Sequence, residues 1–279
     1  MNKLHSSRPM TLLLSLCLIL LPALVLADDC APKNISLWAK ASFALSGDSV
    51  IIQNHRYRLI GVRAPQIEKK QKFYTRGQPL AKQSQDYLNR LLANHDMQIG
   101  IEYDQRKQDD FNRGLAHLFV KGKDGQILNL QRLMLASGYA LAESEKPNFL
   151  HQKCYYRAEK QAREQNLALW SLVKKYPQLH FPIAPSSEIT TQDEGYHIYK
   201  GKILLVKKSS NNYILNMDTT GIRVRRADWD NFDFDQLKSL EGKTIEARGT
   251  GFLYKGAMFV KIQSPYAINL LNPVNDANQ

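Results

Sequence analysis

Residues 173–193 carry Pro177, Pro182 and Pro185 among Ser and Thr residues, with neither a helical nor a strand period. This break constrains the chain more than any other feature, because a stretch of that composition reads as a linker. What lies on either side must therefore build its own core: a larger unit over 38–172 and a smaller one over 194–271. Of the 279 residues, 43% are hydrophobic and 23% charged, which is enough apolar material for two cores and excludes a disordered chain. No internal repeat, heptad or low-complexity tract is present, so solenoids and coiled coils are excluded as well.

The N-terminus supplies a third piece of organisation. Lys3 and Arg8 precede a nearly unbroken apolar run from Leu12 to Leu26, and Val25-Leu26-Ala27 offers the compact residues that signal peptidase needs. The pattern predicts a secretory signal over 1–27 and export to the periplasm or the medium. The run is shorter than the ~20 apolar residues that span a bilayer, so no membrane span is expected. Losing the signal removes Cys17 and leaves Cys30 and Cys154. An even pair in an oxidising compartment predicts a disulfide, worth on the order of 4–5 kcal/mol through the long loop it closes.

Within 38–172, Val50–Ile52 and Tyr57–Val62 flank Asn54 and predict a β-hairpin. Met97–Tyr103 and Leu115–Val120 are further strands. Leu80, Tyr87, Leu88, Leu91 and Leu92 recur at helical spacing after Pro79, and a shorter helix over 128–137 stops at Gly138. Residues 149–170 are rich in helix formers and predict one long helix. Beyond the linker, short strands return at 196–206, 213–217, 221–224, 244–253, 257–262 and 267–270, with a helix near 234–240. The whole predicts an α+β protein: a barrel with helices, followed by a second small all-β barrel.

Two stretches carry chemistry. One is Ser46-Gly47-Asp48-Ser49-Val50 followed by Arg58-Leu59-Ile60-Gly61-Val62-Arg63-Ala64-Pro65-Gln66; the other is Asp109-Asp110-Phe111-Asn112-Arg113-Gly114-Leu115-Ala116. In these motifs, and through Leu135–Ala140, Lys146-Pro147-Asn148 and the helix ending at Trp170, the chain resembles the staphylococcal (thermonuclease) nuclease family. The resemblance implies an OB-like barrel with a calcium-dependent phosphodiesterase centre. In such a centre two aspartates hold the cation, a glutamate activates water and two arginines stabilise the phosphate. Position by position it implies that Asp48 keeps one calcium aspartate, and that Arg58 and Arg113 keep the two phosphate-binding arginines.

The rest departs from the family. Arg63 stands where the second aspartate belongs and Gln66 where the glutamate belongs. A guanidinium cannot ligate a cation, and an amide cannot accept a proton at neutral pH. Asp110, Glu143 and Glu145 replace a lysine and two tyrosines that contact nucleotide; Phe111 alone keeps an aromatic ring there. Asp48 is then a vestigial metal ligand, and Arg58, Arg113 and Gln66 form a degenerate catalytic set. No cofactor is expected, with Ca2+ required only if the family activity survives.

Two outcomes remain open for Arg63. It joins Arg58, Arg113 and the Phe111 ring in an anion-binding pocket, or it pairs with Asp48 and fills the cation position. The second barrel resembles OB-fold modules through Gly201-Lys202-Ile203, Tyr213–Asn216, Leu240–Lys243 and Arg248-Gly249. Its Lys207, Lys208, Arg223, Arg225 and Arg226, with Tyr213, Trp229 and Tyr254, form either a nucleic-acid groove or a solvated strand face.

The expected function is binding of nucleic acid or another polyanion without calcium-dependent cleavage. The alternatives are an active nuclease using Arg58, Arg113 and Asp48, and a cell-envelope interaction module. Of the net +12, residues 38–172 hold 21 Lys+Arg against 13 Asp+Glu, or +8. The basic excess therefore sits mainly on the first unit, which suits an anionic partner there.

Overall fold

A computed structural model describes residues 30–70 and 74–271; the expected signal segment 1–27 lies outside the described residues. From the N-terminus run β1 (Leu37–Ser46), β2 (Ser49–Ile52), β3 (His55–Leu59), β4 (Val62–Arg63), the small ribbon β5 (Lys69–Lys70) and β6 (Tyr74–Thr75), and α1 (Ala81–Ala93). They are followed by β7 (Gln98–Glu102), β8 (Gly114–Lys121), β9 (Ile127–Asn129), α2 (Leu130–Ala136), β10 (Leu141–Ala142), α3 (Gln152–Glu164) and α4 (Leu169–Lys175). Strands pair in the order β3-β2-β1-β7-β8, and a parallel pairing of β3 with β8 closes five strands into a barrel. This is the OB-like barrel with helices that the resemblance implies.

The hairpin between β2 and β3 turns on Gln53 and Asn54, both at positive φ (48° and 66°), the backbone twist that suits a two-residue hairpin. Alternate residues of the strands, among them Val50, Ile52, Ile99, Ile101, Leu118 and Val120, point into the barrel. Leu88 and Leu92 of α1 join the same core.

The single helix predicted over 149–170 is two helices. α3 ends at Glu164, Asn166 and Ala168 take positive φ, and the Leu169 amide donates to the Gly138 carbonyl at 3.1 Å. Helix propensity is uniform through this stretch; docking of the fully buried Trp170 overrides it.

Residues 173–193, expected as a linker, are packed. β11 (Ile183–Pro185) runs parallel to β12 (Gly195–Lys202), and Phe181 and Ala184 are buried. Phe181 joins Leu141, Ala162, Leu169, Trp170, Tyr196 and Ile198 in a core that joins the two halves of the chain. After β12 follow β13 (Leu205–Lys208), β14 (Asn212–Asn216), β15 (Thr220–Arg225), α5 (Phe234–Lys238), β16 (Thr244–Tyr254), β17 (Ala257–Lys261) and β18 (Ile268–Leu270).

Their path is β12-β16-β17-β15-β14-β13, with β15 and β17 parallel. Since β12 and β13 are successive stretches of one bent run, the path returns to its start. Numbered within their own barrels, the two sets of strands thus share one order, and each places a helix between its third and fourth strands.

The halves are locked by buried polar bonds as well as by apolar packing. Arg248 of β16 reaches both carboxylate oxygens of Glu159 on α3 at 2.7 Å, and Tyr196 donates to the Ala142 carbonyl at 2.7 Å. Arg163 and Glu246 form a bidentate pair at 2.6 and 2.5 Å. Cys30 is bonded to Cys154, with Cα atoms 5.4 Å apart and a sequence separation of 124. Among the described residues no helix is long and apolar enough to cross a membrane.

Candidate functional site

Asp48 follows Gly47 in the turn between β1 and β2. A Cβ at Gly47 would lie 1.8 Å from the Ser84 hydroxyl, so only glycine fits there. The Asp48 carboxylate accepts from the Ser46 hydroxyl at 2.7 Å through one oxygen and from the Ala64 amide at 3.1 Å through the other. One oxygen thus ties the turn to the end of β1, and the other fastens it to the segment that carries Arg63.

That segment is held from the other side by a two-residue ladder. β4 pairs with β10, setting Arg63 against Leu141 and Val62 against Ala142, and the Glu143 amide then donates to the Gly61 carbonyl at 3.0 Å. Gly61 sits at φ 81° with the Tyr155 ring 2.4 Å from where a Cβ would stand, so this close approach also demands glycine. The ladder delivers Glu143 between two arginines. One carboxylate oxygen accepts from Arg58; the other accepts from Arg63 Nη2 at 2.5 Å and Nε at 3.1 Å.

The Arg58 and Glu143 side chains are nearly buried, at 11% and 10% exposure, while Arg63 retains 30%. Burial works against the Arg63 charge, but the Glu143 and Asp48 carboxylates outweigh it and hold the guanidinium above its ordinary pKa. Tyr196, from the second barrel, lies under that guanidinium at 5.3 Å. The site is therefore built by both halves of the molecule.

Of the expected residues, Asp48, Arg58 and Arg63 come together. Arg63 takes Glu143 as its direct partner, with Asp48 contributing at longer range; this differs from both outcomes anticipated for it. Arg113 belongs to a second cluster at the start of β8. Its Nε donates to Asp109 at 2.6 Å, and its guanidinium lies 5.4 Å from the Phe111 ring, which is 80% exposed. Burial would raise the Asp109 pKa, yet the amides of Arg113 and Phe111 and the Arg113 guanidinium hold it below its ordinary value. Arg58 and Arg63 thus share Glu143, whereas Arg113 is paired with Asp109.

Gln66 is exposed, and its backbone is tied to Gln78 at 2.8 and 2.9 Å. Calcium does not fit this donor set. Asp48 already accepts a hydrogen bond at each oxygen, the Glu143 carboxylate is held by two arginines, and a fixed cation stands where a second carboxylate is needed. Among the described residues no group of three or more His, Cys, Asp or Glu side chains is arranged to hold a metal ion.

The bridging role of Glu143, the contribution of Tyr196 and the ladder are what sequence reasoning missed. Glu143 lies 85 residues from Arg58 and 80 from Arg63, and two-residue strands leave no periodic trace. On the second barrel, where a groove and a solvated strand face were both open, the named rings and arginines divide. Tyr213 and Trp229 stack on each other at 4.3 Å, Trp229 donates to the Val224 carbonyl, and Arg225 pairs with Asp228 at 3.2 Å. These rings fill the barrel's flank, whereas Tyr254 is 56% exposed. Between the barrels runs a cleft of about 400 Å³, lined by Arg58, Arg63 and Glu143 on one side and by Arg225, Phe252 and Lys261 on the other.

Residues 56–172 match a family model described as staphylococcal nuclease homologue. The thermonuclease of Staphylococcus hyicus is 29% identical over 131 residues, covering 46% of this chain and 72% of the relative. The thermonuclease of Staphylococcus intermedius is 28% identical over 130 residues, covering 45% and 71%. An uncharacterized protein of Methanocaldococcus jannaschii is 23% identical over 151 residues, covering 48% and 72%.

Proposed function

Because residues 56–172 form a staphylococcal nuclease-like domain, we propose that this is an exported nucleic-acid-binding protein whose phosphodiesterase centre is degenerate. The observation that carries this reading is the Arg58–Glu143–Arg63 bridge beside an Asp48 whose two oxygens are engaged. Metal-assisted hydrolysis needs an anionic cradle for the cation and a base for the attacking water. Here the cradle holds a guanidinium, and Gln66 cannot take a proton. Loss of a general base alone lowers a rate by about two to four orders of magnitude. The +8 charge of residues 38–172 and the cations along the cleft favour a polyanion, held by phosphate contacts that fade with salt. Export rests on the apolar run after Lys3 and Arg8, and cell fractionation tests it.

The function is tested by incubating the full chain with single-stranded DNA and RNA, in calcium and in chelator. The expected result is binding that weakens linearly on a log–log salt plot, with no cleavage in either condition. Arg63→Asp combined with Gln66→Glu should create calcium-dependent cleavage that neither change creates alone. Calcium-dependent cleavage by the unaltered chain, abolished by Arg113→Ala, sinks the degenerate reading. Absence of binding at low salt sinks the nucleic-acid reading.

A further inference from the structure

The outer face of the second barrel carries aromatic rings that no core requires. Phe252 of β16 and Phe259 of β17 are directly paired across the ladder, with ring centroids 5.7 Å apart and planes inclined by only 24°. Met258 and Val260, the chain neighbours of Phe259, point inward and are fully buried, so the strand period sends Phe259, and with it the cross-strand partner Phe252, outward. Phe252 is 45% exposed, and Tyr254 extends the row at 6.3 Å from Phe259.

Cations frame the rings. Arg223 of β15 lies 5.1 Å from the Phe259 centroid, Lys261 lies 5.7 Å from Phe252, and Lys255 lies 5.4 Å from Tyr254. Gly221, paired with Phe259, makes room for this. A Cβ there would stand 2.9 Å from the Arg223 guanidinium, which donates to Asn216 at 2.9 Å. Among the described residues, none of these three cations joins an ion pair. This sets them apart from Arg58, Arg63, Arg113 and Arg225, each of which has a carboxylate.

We infer that Phe252 and Phe259, framed by Arg223 and Lys261, form a stacking platform for the bases of a single-stranded nucleic acid whose backbone passes into the cleft between the barrels. The inference rests on the nucleic-acid reading above and says where on the molecule it is realised. Paired rings beside uncompensated cations fit single strands for two reasons. Every base has a face to stack, and each phosphate meets a charge that is not already neutralised. The patch is continuous with the candidate site, since Phe252 and Lys261 line the same cleft as Arg58 and Arg63. Because Glu143 offsets one of those two charges and occupies both guanidiniums, the unpaired cations of the second barrel carry most of the phosphate contacts.

The test uses the full chain, a fluorescein-labelled oligothymidylate of about 12 nucleotides, and inorganic polyphosphate as a polyanion without bases. Phe252→Ala with Phe259→Ala should weaken oligothymidylate binding by about tenfold or more, leaving polyphosphate binding and the salt slope unchanged. Phe252→Trp should keep the affinity, and the introduced indole should lose fluorescence when oligothymidylate binds. It also serves as the check should the double alanine variant misfold.

Unchanged oligothymidylate affinity in the double variant overturns the platform while leaving the nucleic-acid reading standing. Equal losses for oligothymidylate and polyphosphate also overturn it, because they show that the rings act only through charge or fold. If the unaltered chain binds polyphosphate but no oligothymidylate, the nucleic-acid reading falls and the platform with it.

Discussion

At Glu143 one carboxylate serves two guanidiniums, so Arg58 and Arg63 together present one net positive charge to an anion in the cleft. An entering phosphate must compete with a nearly buried acceptor that is already hydrogen-bonded to both guanidiniums, and charge-assisted hydrogen bonds of that kind are not given up without loss. Glu143→Gln keeps the shape and removes the charge. It should tighten binding of a single-stranded oligonucleotide several-fold and steepen the log–log salt slope by about 0.7, the increment for one additional phosphate contact on a single strand. Anisotropy titrations at several salt concentrations read both. An unchanged slope would mean that phosphates do not reach these arginines. From the sequence, Glu143 looked like a residue that repels phosphate; that it also silences two arginines depends on a contact made 80 or more residues away.

Elements differ in how far their residues announce them. The β2–β3 hairpin was legible because Asn54 tolerates the positive φ its turn requires, and α1 because its leucines repeat at the helical period. β1 went unrecognised as a strand, and the β4–β10 ladder left no pattern at all, although it sets the position of Glu143. The break between α3 and α4 was hidden by continuous helix formers, and it depends on the chain passing close to Gly138. That glycine sits at φ 71°, with the Leu167 carbonyl oxygen 2.5 Å from where a Cβ would be. Gly138→Ala should therefore cost about 1–3 kcal/mol, from a left-handed backbone and a clash with main chain that has little freedom to move. Urea denaturation measures it; a loss below about 0.5 kcal/mol, the range of ordinary surface changes, would show that the turn adapts.

For the molecule as a whole, acid is the condition to which the fold is most exposed. His197 is buried against Phe181 and Tyr199, and burial pushes its imidazole down to about 4; nearby His180 acts in the same direction while Asp193 and the Gly195 backbone oppose it. His117 is also lowered, by burial first, with His151 adding to the effect and Asp104 and Glu102 opposing it. In the unfolded chain both take up a proton near pH 6.5, while the folded protein resists until lower pH. The unfolded state therefore binds more protons in this window, and stability is full above about pH 6.5 and declines as pH falls toward 4. His197 alone accounts for up to about 3 kcal/mol of that decline. Thermal melts across the window should show it, and His197→Phe should flatten the curve.

The pairing of Glu159 with Arg248 bears on how the chain is put together. Glu159 is made 89 residues before the cation that neutralises it. As the polypeptide emerges from its N-terminus, the first barrel can close while this carboxylate still awaits its partner. The same carboxylate accepts from the Ala142 amide, and Arg248 and Tyr196 both donate to the Ala142 carbonyl. Residue 142 adjoins Glu143, so the last strands to be synthesised set the backbone that aims the bridging carboxylate. The cleft is finished only when the second barrel docks, and a chain ending after α4 would carry a barrel without a completed site.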